Sequence, residues 1–213
     1  MLFMNGISEG IYLVRTSQGI ENLSNDAQPM ADAFERLNYI RAGAETRRYH
    51  TWPVIREQNV AEHGAIVAIL CSWLADIDDV ELTANLAMAA VTHDWAEHIF
   101  GDMPAPTKRG MPPVMIGQKE VSFRTMWNTM ESENLIRHGL HWESRLTDTE
   151  KYILKLADAG EGCFRCILER SMGNRILDPV YSGFRTYLTD LSKSLAGELL
   201  QLYIDKEWKF ATR

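Results

Sequence analysis

The sequence predicts an all-α fold. Apolar residues recur at helical spacing through most of the chain, cap signals precede several of these runs, and no strand-like alternation of useful length interrupts them. With 213 residues, 46% of them hydrophobic, the chain can bury one sizeable core. The reading is a loosely structured arm over 1–25, mixing Gly, Ser and Asn, followed by one domain over 26–213.

From Pro29, Met30, Phe34, Leu37 and Ile40 mark a first helix that Gly43 stops. RRYHTWPVIREQ contains Pro53 and reads as a loop. Asn59 caps the next helix, NVAEHGAIVAILCSWLADI, with Glu62 reaching back from three residues on. A helix over about 82–100 ends at Gly101 and carries His93, Asp94 and Glu97. The prolines of GDMPAPTKRGMPP bar regular helix, and further helices follow over about 118–138, from the Thr147/Glu150 capping box, and over about 183–210.

The composition narrows the function. A net charge of -7 argues against tracking polymeric nucleic acid, which needs a broad basic surface, yet leaves a single nucleotide possible. The start lacks the basic and small-residue pattern of a secretory signal, and no apolar stretch is read as bilayer-crossing, so a cytoplasmic protein without a membrane partner is expected. Cys71, Cys163 and Cys166 lie in apolar helical patterns, which predicts reduced, buried thiols; the CFRC spacing of the last two lacks a second pair and reads as helix packing.

Chemistry concentrates at AMAAVTHDWAEHIFG. His93 and Asp94 are adjacent in an apolar setting, and Glu97 follows within one turn, so the three share a local surface. Alone, the His-Asp dipeptide reads as a rigidifying core pair. It stands with Glu62-His63, GDxPxPxK from Gly101 to Lys108, and KxxD from Lys155 to Asp158, and that set points to a ligand site.

The order H…HD…D resembles the HD-domain phosphohydrolases. RYHTWPVIREQNVAEH, HDWAEHIFGDMPAPTK and KLADAGEGCFRCILERSMGN are similar to bacterial 5'-deoxynucleotidases, and phage HD-domain dATP triphosphohydrolases share the skeleton. The resemblance implies an HD-domain helical bundle with His63, His93, Asp94 and Asp158 holding a metal between helices. It also implies Glu97 near the attacking water, Arg48, Lys108 and Lys155 near phosphates, and a homo-oligomer. Arg48-Tyr49 departs from the Arg-Trp of the deoxynucleotidases.

Two imidazoles and two carboxylates suit one divalent transition ion, Co, Mn, Zn or Fe, better than Mg. Glu97 is expected to be catalytic, with Asp102 either assisting or capping its loop. Tyr49 offers an aromatic face to a sugar or base, and Thr51 lies close enough in sequence to influence base choice. The expected function is metal-dependent hydrolysis of a small-molecule 2'-deoxynucleotide, monophosphate or triphosphate. The alternatives are an HD-type signalling-nucleotide hydrolase or phosphodiesterase, and a non-catalytic helical protein stabilised by its metal.

Overall fold

A computed structural model describes residues 13–16, 19–22 and 27–211. Two compact units, 1–41 and 42–213, divide the chain. In the first, β1 (Leu13–Thr16) and β2 (Gly19–Asn22) pair as an antiparallel hairpin within the span read as an arm; the rest of that arm lies outside the described residues. The helix α1 (Ala27–Glu45) follows and runs into the second unit.

The second unit is mainly helical, and its core lies among α2 (Val60–Ile77), α3 (Ala84–Thr92), α7 (Asp148–Ser171), α8 (Asp178–Leu191) and α9 (Leu195–Ala211). Val67, Cys71 and Leu74 of α2 meet Leu86 and Ala89 of α3, Ile153 and Leu156 of α7, and Leu200 and Ile204 of α9, all essentially without solvent contact. All three cysteines are free and buried, and burial pushes the thiols of Cys71 and Cys163 up to about 12.

Capping sets the helix starts. Asn59 accepts the amide of Glu62 at 2.8 Å, although the Glu62 side chain turns to Arg56 instead of reaching back. At α7 both halves of the capping box form: Thr147 Oγ1 accepts the Glu150 amide, and Glu150 Oε2 accepts the Thr147 amide at 2.8 Å. Glu150 also receives the hydroxyl of Thr83, the N-cap of α3, so one carboxylate ties the starts of the two helices together.

Several boundaries differ from the sequence reading. The helix over 82–100 stops at Thr92, and α4 (Glu97–Phe100) resumes after a tight turn in which Trp95 bonds back to Thr92 and Glu97 to Asp94. These three-residue steps replace four-residue ones and re-aim the side chains between. A short α5 (Ala105–Gly110) forms where prolines were expected to bar it, because Pro106 falls in the first turn, where an amide donor is not needed.

The span 118–138 begins as β4 (Lys119–Val121), paired with β3 (Val114–Ile116) around Gly117 at φ 62°, and α6 (Phe123–Arg137) starts only after its N-cap Ser122. The last predicted helix is two, α8 and α9, broken near Ser192, where the Tyr152 hydroxyl donates to Leu191 O and accepts Lys193 N–H. Finally, α2 is 18 residues long with a mean hydropathy of 1.5, so by length and composition it is long and apolar enough to cross a bilayer, contrary to the sequence expectation. Its stripe of Val60, His63, Gly64, Val67, Cys71 and Leu74 is buried in the core instead.

Close packing positions the functional residues. A Cβ on Gly64 would lie 2.5 Å from the backbone oxygen of Val91, so α2 and α3 touch one residue from His63 and two from His93. Gly64→Ala is expected to cost about 1–3 kcal/mol, the usual penalty of overpacking. Gly183→Ala in α8, where a Cβ meets nothing, should instead gain roughly 0.5–1 kcal/mol; denaturant midpoints for the two variants check the contrast.

The loop between Arg48 and α2 is held by Glu169, which is fully buried and accepts the amides of Ile55 at 2.7 Å and Arg56 at 2.9 Å and the Asn174 side chain at 2.7 Å. Burial alone would raise its pKa, but these donors and Arg165 outweigh it and hold the carboxyl below the usual range. Its contribution is therefore present above the unfolded value of about 4.3 and is lost as pH falls through the lowered folded value. Glu169→Gln should lower stability at neutral pH and flatten the decline on acidification, measured by urea unfolding across pH 2–7.

Candidate metal centre

Four candidate donor side chains gather here, and the ligand atoms of three of them, His63, His93 and Asp94, all lie within 4.8 Å of one another. His63 comes from the first turn of α2, His93 from the C-cap of α3, Asp94 from the tight turn after it, and Asp158 from mid-α7. His63 Nε2 lies 3.3 Å from His93 Nε2, 3.5 Å from Asp94 Oδ2 and 3.3 Å from Asp158 Oδ1. His93 Nε2 lies 3.5 Å from Asp94 Oδ2 and 3.8 Å from Asp158 Oδ1. Donors bound at 2.0–2.2 Å to a common ion sit about 3–3.6 Å from one another, so the spacings among His63, His93 and Asp94 fit a metal, and Asp158 reaches that range from His63 but stands 3.8 Å from His93.

The ring orientations fit as well. Each imidazole turns Nε2 to the common point and is held behind: His93 Nδ1 donates to Ala90 O at 2.9 Å, and His63 Nδ1 to Glu161 Oε2 at 2.7 Å. Outer partners of this kind fix the tautomer and the aim of a ligating imidazole. Glu161 was not singled out in the sequence; its signal was its place one helical turn beyond Asp158 on the same face.

Charge is concentrated here. Burial opposes ionisation of Asp158, yet hydrogen bonds from His63 and His93 hold it well below the usual carboxylate range. Asp94 is likewise lowered against its burial by His93 and Arg48. Burial lowers His93, but Asp94 and Asp158 prevail and push it up to about 10. Burial and the neighbouring Asp94 raise Glu97 well above its usual value. Asp94, Asp158 and Glu161 here face Arg48 and two imidazoles whose protons they hold, and a divalent cation would take the place of those protons.

The other residues singled out by sequence divide into two groups. Arg48 is buried, and its Nη1 donates to Asp94 while its Nε has no partner. Glu97 is also buried, with Oε2 unpartnered. Asp102 accepts the backbone amide of Tyr49 at 2.9 Å, which holds Tyr49 at φ 56°; it therefore acts on the loop that carries Arg48.

Tyr49 does not present an open aromatic face: its ring belongs to the core and is 8% exposed. Lys108 donates to Glu131 at 2.9 Å and lies over Trp127, so α5 ties it to α6. Thr51 and Lys155 are exposed, and neither touches the donor cluster among the described contacts; Lys155 stands one turn before Asp158.

Residues 32–205 match the model of a family described as 5'-deoxynucleotidase YfbR-like. The chain is 30% identical over 135 residues to a 5'-deoxynucleotidase of Yersinia pestis (strain Pestoides F), covering 58% of this chain and 68% of that protein. Among solved structures, the cyanophage S-2L HD phosphohydrolase bound to dA and one catalytic Zn2+ ion superposes with a TM-score of 0.58 at 17% identity, covering 83% of this chain and 96% of that one. An HD-domain phosphohydrolase of Listeria innocua gives 0.58 at 18%, covering 85% and 98%. These two likenesses concern the fold.

Asp158→Ala should remove bound metal and activity together, and elemental analysis finding full occupancy in that variant would sink the ligand assignment. Glu97→Gln should retain metal and lose roughly 10²-fold or more in turnover, the scale of a positioned acid or base. Unchanged turnover, or loss of the metal, would count against a proton-handling role.

Proposed function

The chain belongs to the YfbR-like 5'-deoxynucleotidase family, and on that premise we propose that it hydrolyses 2'-deoxynucleoside 5'-monophosphates to deoxynucleoside and phosphate. The observation that carries the reading is the convergence of His63, His93, Asp94 and Asp158 with the buried, part-unpartnered Arg48 and Glu97 beside them. A site that only stabilised the fold would have no use for a buried acid with a free oxygen next to its ligands.

A divalent ion of the Zn, Mn, Co or Fe type would lower the pKa of a water and offset charge at phosphorus. Arg48 orients the phosphate, since its fork of donors can hold Asp94 and a phosphate oxygen together. Glu97 accepts the attacking water's proton as the new P–O bond forms; the bond from phosphorus to the 5'-oxygen breaks, and the proton passes to the leaving alkoxide. Asp102 keeps Arg48 in place through the Tyr49 amide. Base contact is assigned to the exposed Thr51 rather than to the buried Tyr49, and Lys155, one turn before Asp158, is assigned to the phosphate.

The monophosphate is favoured over the triphosphate because Lys108 is committed to Glu131, leaving Arg48, beside the donor cluster, to answer a single phosphate. Self-association is part of the same proposal. Leu195, Leu199, Leu202 and Tyr203 of α9 are exposed, as are Ile69 and Trp73 of α2, apolar side chains that a second copy would cover. Three buried free thiols suit a cytoplasmic setting.

Incubating metal-loaded protein with dNMPs, NMPs and dNTPs decides the reaction. Inorganic phosphate should appear from dNMPs, faster than from NMPs. Triphosphate released from dNTPs, with no phosphate from dNMPs, would overturn the assignment. Sedimentation should find more than one copy per particle.

A further inference from the structure

Along α7, Asp158, Glu161, Arg165 and Glu169 recur at three- and four-residue steps and so share one face of the helix. The last three are at most 3% exposed. A polar row this deep has to be matched by donors, and several of them come from one stretch of chain, the loop after Arg48 and the start of α2. Glu169 takes the amides of Ile55 and Arg56, and Arg165 donates to Glu169 at 3.2 Å.

Glu161 takes two partners of different kinds. Its Oε2 accepts Nδ1–H of His63 at 2.7 Å, and its Oε1 accepts Nε2–H of Gln58 at 2.6 Å. A carboxylate facing both groups accepts from each, which places an imidazole proton on Nδ1 and leaves Nε2 for the common point. Gln58, 3% exposed, has a buried amide oxygen with no partner. The amide tolerates this because turning it over would set its oxygen against the carboxylate. Gln58 also uses its backbone carbonyl to accept Arg48 N–H at 2.9 Å, beside the bridge of Arg47 with Asn59.

We propose that Glu161 is a positioning residue that sets two parts of the site at once, aiming the Nε2 lone pair of His63 with one oxygen and fixing the main chain of Arg48, through Gln58, with the other. The proposal rests on the metal reading above. Metal affinity and substrate affinity are then linked through one carboxylate, and each limb can be cut separately.

The test uses the full chain, with Co2+ followed by visible absorption and kcat and KM measured on dNMPs. Glu161→Ala should weaken Co2+ binding about 10- to 100-fold, the usual loss for an outer partner of a ligating His, and should raise KM as well. Gln58→Ala should keep wild-type Co2+ affinity and raise KM. Glu161→Gln should stay near wild type in both, because its oxygen can accept His63 Nδ1–H while its amide donates to the free oxygen of a turned Gln58.

Wild-type Co2+ affinity in Glu161→Ala overturns the His63 limb, and an unchanged KM in Gln58→Ala overturns the Arg48 limb. If Glu161→Gln falls as far as Glu161→Ala, charge rather than geometry is at work and the positioning role is wrong. Should Glu161→Ala not fold, the imidazole 15N spectrum of the Zn2+-loaded wild type still decides: a His63 proton on Nε2 overturns the proposal. A wild-type chain that binds no Co2+ takes down the metal reading and this proposal together, whereas a wild type that binds it beside an unaffected Glu161→Ala removes the proposal alone.

Discussion

A carboxylate withdrawn from water must be answered by donors or by opposite charge, and this requirement organises the interior around α7. Asp158, Glu161 and Glu169 sit on one face of that helix; imidazoles from α2 and α3 answer the first, His63 and Gln58 the second, and the amides of Ile55 and Arg56 the third. Leaving one buried charge unmatched costs several kcal/mol. The loop over 47–59 is therefore laid in register along α7, and Arg48 arrives at Asp94 as a result. At its other end, α7 ties its own start to α3 through Glu150 and Thr83.

The donor set depends equally on how α2 and α3 meet. Close contact between Gly64 and Val91 lets the two helices approach, so that His63 and His93 can face one point. The helical conformation of His93 at the end of α3 then sets Asp94 beside it, before the three-residue steps begin.

How much of this was legible in the sequence varied with the physics involved. Local signals read well: Asn59 and Thr147 act as caps, Gly101 ends α4 at φ 80°, and the all-α class follows from the 3.6-residue period. The motif order marked His63, His93, Asp94 and Asp158 as candidate donors, and the structure places ligand atoms of the last three within 4 Å of His63 Nε2. The break at 93–97 was not, because Trp, Ala and Glu are acceptable helix residues and only hydrogen-bond steps distinguish the turn. Strands of three residues are too short for a period to show. Tyr49 was read as a surface platform because nothing local reveals that a left-handed residue turns its ring into the core. Glu161 and Gln58 were overlooked because their roles depend on pairing across 103 positions of sequence.

The buried cysteines carry a consequence of another kind. A thiol reacts as its thiolate, and Cys71 and Cys163, pushed up to about 12, together with Cys166, which burial raises further still, stay protonated and out of reach of reagents while the core is closed. Cys71 lies on α2 two turns beyond His63, and Cys163 and Cys166 lie on α7 beyond Asp158, on the two helices that carry the proposed donors His63 and Asp158. Alkylation of the native chain thus runs as a clock for the parting of α2 and α7. A ligand that clasps those helices slows it in proportion to how firmly it holds, so a mass spectrometer can rank metals and nucleotides by grip without any turnover.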